Sequence, residues 1–122
     1  MEHRTERVGH LIQQKIGSLI LEGRIKDPRV SPFLSVTRVV VSRDLAYADV
    51  YVSNIKENGN IPRGVAGLQS AAGFIQAELA AFMRIRKTPK LRFHPDLSLR
   101  ESFELVQKID KLVNHGSSPD NP

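Results

Sequence analysis

Residues 68–93 read LQSAAGFIQAELAAFMRIRKTPKLRF: a helix-forming run with a glycine inside it, a basic cluster behind it, and a short alternating segment after a proline. Helical spacing starts near Arg63 and, apart from Gly73, runs to about Arg86, carrying Leu68, Ala71, Ala72, Phe74, Ile75, Leu79, Phe82 and Met83. Pro89 closes this helix, and KLRFH at 90–94 follows as a strand candidate with Leu91 and Phe93 on one side. Gly73 has two readings. Ala71-Ala72-Gly73 is a joint where the chain bends and small side chains let two helices approach, or Gly73 is a packing glycine in an unbroken helix. A bend would turn backbone N–H groups and a helix N-terminus toward an anion.

Upstream, Val8, Leu11, Ile12, Ile16, Leu19 and Ile20 recur at three and four, so residues 5–22 form an amphipathic helix that Gly23 stops. DPRVSP at 27–32 holds two prolines and breaks regular structure. LSVTRVVVS and LAYADVYVSN then form two β-branched strands joined around Ser42-Arg43-Asp44-Leu45, a hairpin. In the second, Ala48, Val50 and Val52 face one way and Tyr47, Asp49, Tyr51 and Ser53 the other. KENGNIPR at 56–63 is a polar loop turning at Asn58-Gly59. Downstream, Ser98 and Glu101 have capping-box spacing and open a last helix bearing Leu99, Phe103, Val106, Ile109, Leu112 and Val113, which Gly116 ends. The order α-β-β-α-α-β-α predicts an α+β sandwich, a three-stranded sheet packed against helices. The helical crossover between the second and third strands allows a mixed sheet. One domain at 1–116 and a loose tail at 117–122 follow from 122 residues, too few for two ordinary cores.

Composition narrows the chemistry. The chain has no Cys, which excludes disulfides, thiolate metal sites and cysteine nucleophiles, and fits a reducing, cytoplasmic setting. The charged first residues carry no leader-length apolar run, and no span of 18 apolar residues exists, so neither secretion nor membrane crossing is expected. His3, His10, His94 and His115 are scattered without metal-ligand spacing, and Walker and dinucleotide glycine motifs are absent. Asp44, Asp49 and Asp96 invite a metal-binding reading, but Asp44 falls at a turn and Asp96 before a helix, where short acids cap. No enzyme activity and no cofactor is expected.

Lys plus Arg total 18 against 13 acids, a formal charge of +5 that favours polyanionic partners. Arg84, Arg86, Lys87, Lys90 and Arg92 place five cations in nine residues with no acid among them, as a phosphate backbone selects for; a solvated surface is the plainer reading. Arg4, Arg7, Lys15, Arg29, Arg38 and Arg43 extend the candidate footprint. Tyr47 and Tyr51 share a face suited to stacking, whereas Phe74 and Phe93 are expected in the core. A rival class is a protein-interaction module whose cations meet an acidic partner.

DPRV at 27–30, TRVVVSRDLAYADVYVS at 37–53, LQSAAGFIQAEL at 68–79 and MRIRKTPKLRFHPDLSL at 83–99 together resemble the ribosome-binding factor A family over about residues 5–113. The resemblance implies a type II KH-like domain whose usual GxxG loop is replaced by an AxG interhelical kink, here Ala71-Ala72-Gly73. It further implies a non-enzymatic, monomeric assembly factor that binds the free 30S subunit and assists late maturation of 16S rRNA. The 5′-terminal helix would be its main target, with a role in growth at low temperature and release linked to a maturation GTPase. Gln76 departs from the family, which often has a basic residue after GFI, and the short HGSSPDNP end carries over no tail function.

Overall fold

The computed structural model describes residues 2–56, 58–85 and 87–98, with side chains from Arg4 onward. The expected helix after Ser98, the tail and Arg86 lie outside these residues. Helix α1 spans Glu2–Leu21 and buries Ile12, Ile16, Leu19 and Ile20. Its stop is the expected glycine. Gly23 takes φ +67, its N–H donates to the Ile20 carbonyl at 3.1 Å, and the Arg24 N–H donates to the Leu19 carbonyl at 3.0 Å. These two bonds close a helix on a left-handed glycine and satisfy carbonyls the helix leaves open.

Strands β1 (Leu34–Val41) and β2 (Tyr47–Asn54) pair antiparallel. In the turn the Leu45 N–H donates to the Ser42 carbonyl, and Ser42 Oγ accepts from the amides of Ala46 and Tyr47. This bonding holds Leu45 at φ 60, a conformation that costs a non-glycine residue roughly 1–2 kcal/mol. The register shifts between Val36 and Arg38, so Thr37 is an extra residue in β1. The insertion changes the strand's parity: Leu34, Val36, Val39 and Val41 turn inward, and Arg38 and Val40 are left exposed. Strand β3 (Lys90–Pro95) lies parallel to β2, giving a mixed sheet in the order β1-β2-β3.

Helices α2 (Ile61–Ser70) and α3 (Ala72–Met83) make the crossover. Helix α2 begins two residues ahead of the expected Arg63, because Asn60 Oδ1 accepts from the Arg63 N–H at 3.0 Å and Pro62 occupies the first turn, where no N–H is needed. Regular helix is interrupted at Ala71, with φ −91 and ψ 8, and not at Gly73. Gly73 is exposed, its φ is not positive, and a Cβ there would meet nothing within 4 Å, so neither bending nor packing demands glycine. Tight glycines lie elsewhere, two of them in α2. A Cβ at Gly67 would lie 2.9 Å from Arg29 Cβ and 3.0 Å from Val30 Cγ2, and one at Gly64 would lie 2.6 Å from Leu34 Cδ2.

The helices lie on the inner face of the sheet, over a core of Ile12, Ile16, Leu19, Val50, Val52, Leu68, Ile75, Leu79, Leu91 and Phe93. Each such side chain contributes about 1.5–3 kcal/mol when fully buried. Phe93 is in this core as expected; Phe74 is not. The buried stripe of α3 is Ile75 and Leu79, which rotates Phe74 outward to 42% exposure.

Two glutamines tie the crossover to the sheet. The amides of Leu91 and Phe93 point away from β2; Gln76 Oε1 accepts from the first at 3.1 Å and Gln69 Oε1 from the second at 2.9 Å. Gln69 Nε2 also donates to the Leu91 carbonyl at 3.3 Å. Gln76 is thus engaged in holding a strand edge.

Gly67→Ala is expected to destabilise the protein by about 1–2 kcal/mol, overpacking against Arg29 and Val30 outweighing better helix propensity. In urea titration of the two variants, Gly73→Ala should by contrast stabilise it by up to about 1 kcal/mol. Gln69→Leu is expected to cost about 1 kcal/mol and to accelerate hydrogen exchange selectively at the Phe93 amide.

Candidate nucleic-acid interface

Cations gather at the end of the sheet where β3 begins. Arg4 and Val8 of α1, Asp44, Leu45 and Ala46 of the hairpin turn, and Ile85, Lys87 and Pro89 after α3 line one cleft of about 540 Å³. Residues from three distant parts of the chain meet there because α1 packs on β1 while the turn and the α3–β3 link flank the same end of β2. Asp44 is held below the usual carboxylate range by hydrogen bonds from Ser42 Oγ and the Ala46 amide, with Lys87 adding a smaller attraction. Its charge is therefore committed to the turn, and Arg4 and Lys87 stay exposed at the rim. Arg43, in the same turn, is also exposed.

Arg84 ends α3 in the left-handed conformation, φ 54 and ψ 42, with its N–H donating to the Ala80 carbonyl at 2.9 Å. Glycine usually occupies such a position, and here an exposed cation does. Strain kept at a position that presents charge is the kind found at functional sites.

The outer face of the sheet carries Arg38 and Val40 from β1, Tyr47, Asp49 and Tyr51 from β2, and Lys90, Arg92 and His94 from β3. The Arg38 guanidinium sits 4.4 Å from the Tyr51 ring centroid, and the Tyr51 and His94 rings stack at 5.1 Å and 29°. Arg92 lies 4.4 Å from the Tyr47 centroid and binds Asp49 through both carboxylate oxygens, at 2.9 and 3.1 Å. His94 Nε2 is 2.7 Å from Asp49 Oδ1. Partial burial pushes the Asp49 carboxyl up, but the hydrogen bonds from Arg92 and His94 outweigh it and leave the group below its ordinary value.

The structure thus brings Arg4 and Lys87 to one cleft, with Arg43 in the turn that lines it and Arg84 at the nearby end of α3, and sets Arg38, Lys90 and Arg92 on the adjoining sheet face. It separates others. Lys15 lies on the helix layer, 4.0 Å from Glu78 and over the Phe82 ring, and Arg7 is exposed on α1. Arg29 pairs with Asp27 at the opposite end of β2. Hydrogen bonds from the Arg29 side chain and backbone lower Asp27 to about 2. There Arg29, Lys56, Arg63 and Phe33 line a second cleft of about 410 Å³, a grouping that sequence spacing gives no means of finding. Asp44, Asp49 and Asp96 are kept apart by their separate partners; Asp96 accepts from Thr37 Oγ1 and Ser98. Among the described residues no cluster of three or more potential metal ligands occurs, and no helix is long and apolar enough to cross a membrane.

The family model described as Ribosome-binding factor A matches residues 4–113. Ribosome-binding factor A of Treponema denticola is 46% identical over 111 residues, covering 91% of this chain and 84% of that protein. Among solved structures, the crystal structure of ribosome-binding factor A from Thermus thermophilus superposes with a TM-score of 0.62 at 26% identity, covering 75% of this chain and 94% of that one. A homology model of the Thermus thermophilus ribosome binding factor A, fitted into the cryo-EM map of its complex with the 30S, gives a TM-score of 0.51 at 27% identity, covering 71% and 93%.

Arg84→Gly should relieve the left-handed strain and raise stability by about 0.5–1 kcal/mol in thermal unfolding. The same change is expected to weaken RNA binding and to lower the slope of log affinity against log salt by roughly 1, as loss of one phosphate contact requires.

Proposed function

This chain belongs to the ribosome-binding factor A family, and on that premise we propose that it is a non-enzymatic assembly factor that binds the free 30S subunit through backbone phosphates of 16S rRNA. The observation that carries this reading is the gathering of Arg4 and Lys87 in one cleft, with Arg43 in the turn that lines it, Arg84 at the end of α3, and Lys90 and Arg92 on β3. Phosphate contacts position a protein on folded RNA without reading its bases, and each releases counterions. A relative that has been fitted into a 30S complex supports the choice of partner.

The finer reading is of a monomeric cytoplasmic protein, one domain at 1–116 with a tail at 117–122, that acts late in 16S rRNA maturation. Its target is the 5′-terminal helix region, it matters most in the cold, and a maturation GTPase is linked to its release. Binding alters RNA folding only as far as it prefers one conformer to another, which is why no catalytic group is needed. The helix boundary at Ala71 supports taking Ala71-Ala72-Gly73 as the AxG kink of a type II KH-like domain. In that arrangement it is Ala71, not Gly73, that leaves the helical conformation.

The test is co-sedimentation with free small subunits. The wild-type chain is expected to bind, and a variant with Arg84, Arg86, Lys87, Lys90 and Arg92 all changed to Gln should bind at least about tenfold more weakly at low salt while its circular dichroism is unchanged. Undiminished binding by a folded variant would exclude the cluster from the contact. Capture of an acidic protein in place of subunits would favour the interaction-module reading.

A further inference from the structure

The basic rim accounts for phosphates, but the sheet's outer face holds a different chemistry, a set of flat π systems. The two tyrosines of the chain, Tyr47 and Tyr51, both project from β2 on the side away from α1, α2 and α3. Tyr51 is flanked from β1 by Arg38 at 4.4 Å and from β3 by His94 at 5.1 Å, so guanidinium, phenol and imidazole form a pile running across the strands. Tyr47 carries Arg92 at 4.4 Å. Asp49 links the two groups by binding both Arg92 and His94.

Two guanidinium groups thus sit over aromatic rings, each 4.4 Å from a centroid, and Asp49 holds one of them there. A guanidinium lying on a ring has a second flat side turned away from it, and a nucleobase stacks on such a plane as it does on an aromatic ring. Arg38 is the outer member of its pile, on an edge strand, and it faces outward only because the extra residue at Thr37 shifts the strand's parity. A base can therefore extend the pile at Arg38 without parting Tyr51 from His94. The charge balance of Arg38, Lys90 and Arg92 against Asp49 suits a polyanion and is unsuited to an apolar peptide. Paired bases in an A-form helix already spend their flat faces on one another, so recognition by stacking selects unpaired nucleotides.

We propose that the outer face of the sheet is a stacking platform for unpaired nucleotides of single-stranded RNA. Arg38 on Tyr51 and Arg92 on Tyr47 are its two stacking positions, and Lys90 is a phosphate contact beside them. The proposal rests on the RNA-binding reading above and names a ligand class for a face on which that reading uses only Lys90 and Arg92.

The test uses the full chain with oligouridine and oligoadenosine strands, and with an RNA duplex of equal charge as comparison. Because tyrosine occurs only at 47 and 51, ring resonances of tyrosine-labelled protein report on this face alone. Single strands are expected to shift both rings, and the duplex neither. Arg38→Lys, which keeps the charge and loses the plane, should weaken single-strand affinity about fivefold or more and leave duplex affinity within about twofold; Tyr47→Leu should do the same. Unmoved rings, Arg38→Lys binding single strands like wild type, or equal losses for single strand and duplex would each overturn the platform. So would rings already covered in the free chain by its own residues beyond Ser98. Small-subunit co-sedimentation in parallel separates the two readings. Subunit binding with indifferent single strands removes the platform only. Tyrosine shifts without subunit binding would remove the ribosomal reading and leave the platform standing.

Discussion

The outer edge of β3 is the place on which the arrangement depends. A parallel strand at the margin of a sheet leaves every second amide without a ladder partner, and here Leu91 and Phe93 are those residues. Their side chains are buried, so their amides cannot simply be left to water at no cost. Gln76 of α3 and Gln69 of α2 accept from them, one on each side of Ala71. The same two bonds therefore hold the strand against the sheet and hold both helices against the strand. They also cover an edge that would otherwise offer itself to another chain. Once α3 is held in this way, its end at Arg84 and the short link through Lys87 have little choice of place beside the hairpin turn.

The formal charge of +5 overstates what is free to attract a partner and understates how unevenly it is spread. Arg24 and Lys15 share Glu78, Arg29 is taken by Asp27, and Arg92 by Asp49. Exposed pairs of this kind are worth about 0–1 kcal/mol each. Their larger effect is to orient. Asp49 keeps the Arg92 guanidinium over Tyr47, and Asp27 keeps Arg29 beside the α2 glycine that needs the room. The cations around the first cleft point outward by contrast, and the one acid in its lining is already occupied within the turn.

Much of the fold was legible because it is local. Alternation in LAYADVYVSN set which side of β2 is buried, Gly23 marked the end of α1, and the helical crossover foretold a mixed sheet. The errors are all long-range in origin. Nothing near Gly73 says that its surroundings are empty, or that Gly64 and Gly67 are pressed against the chain at 27–34. Phe74 reads as core by type, and only the rotation of α3 on the sheet shows otherwise. For the candidate interface, residue type found the cations, but spacing could not tell which share a side. Lys15 and Arg38 sit on opposite sides of the sheet, a separation decided by how α1 packs and by one additional residue in β1.

That additional residue has a consequence for how this protein can change over time. Removing Thr37 would leave Val36 opposite Val52, Arg38 opposite Tyr51 and Val39 opposite Val50 in plain alternation, so both faces would be kept and only the bulge and the Thr37 hydroxyl's bonds to the Tyr51 carbonyl and Asp96 would be lost. One residue can therefore be lost at this point of β1 without turning the strand over, whereas the same loss inside the regular strand β2 would carry every later side chain to the wrong face.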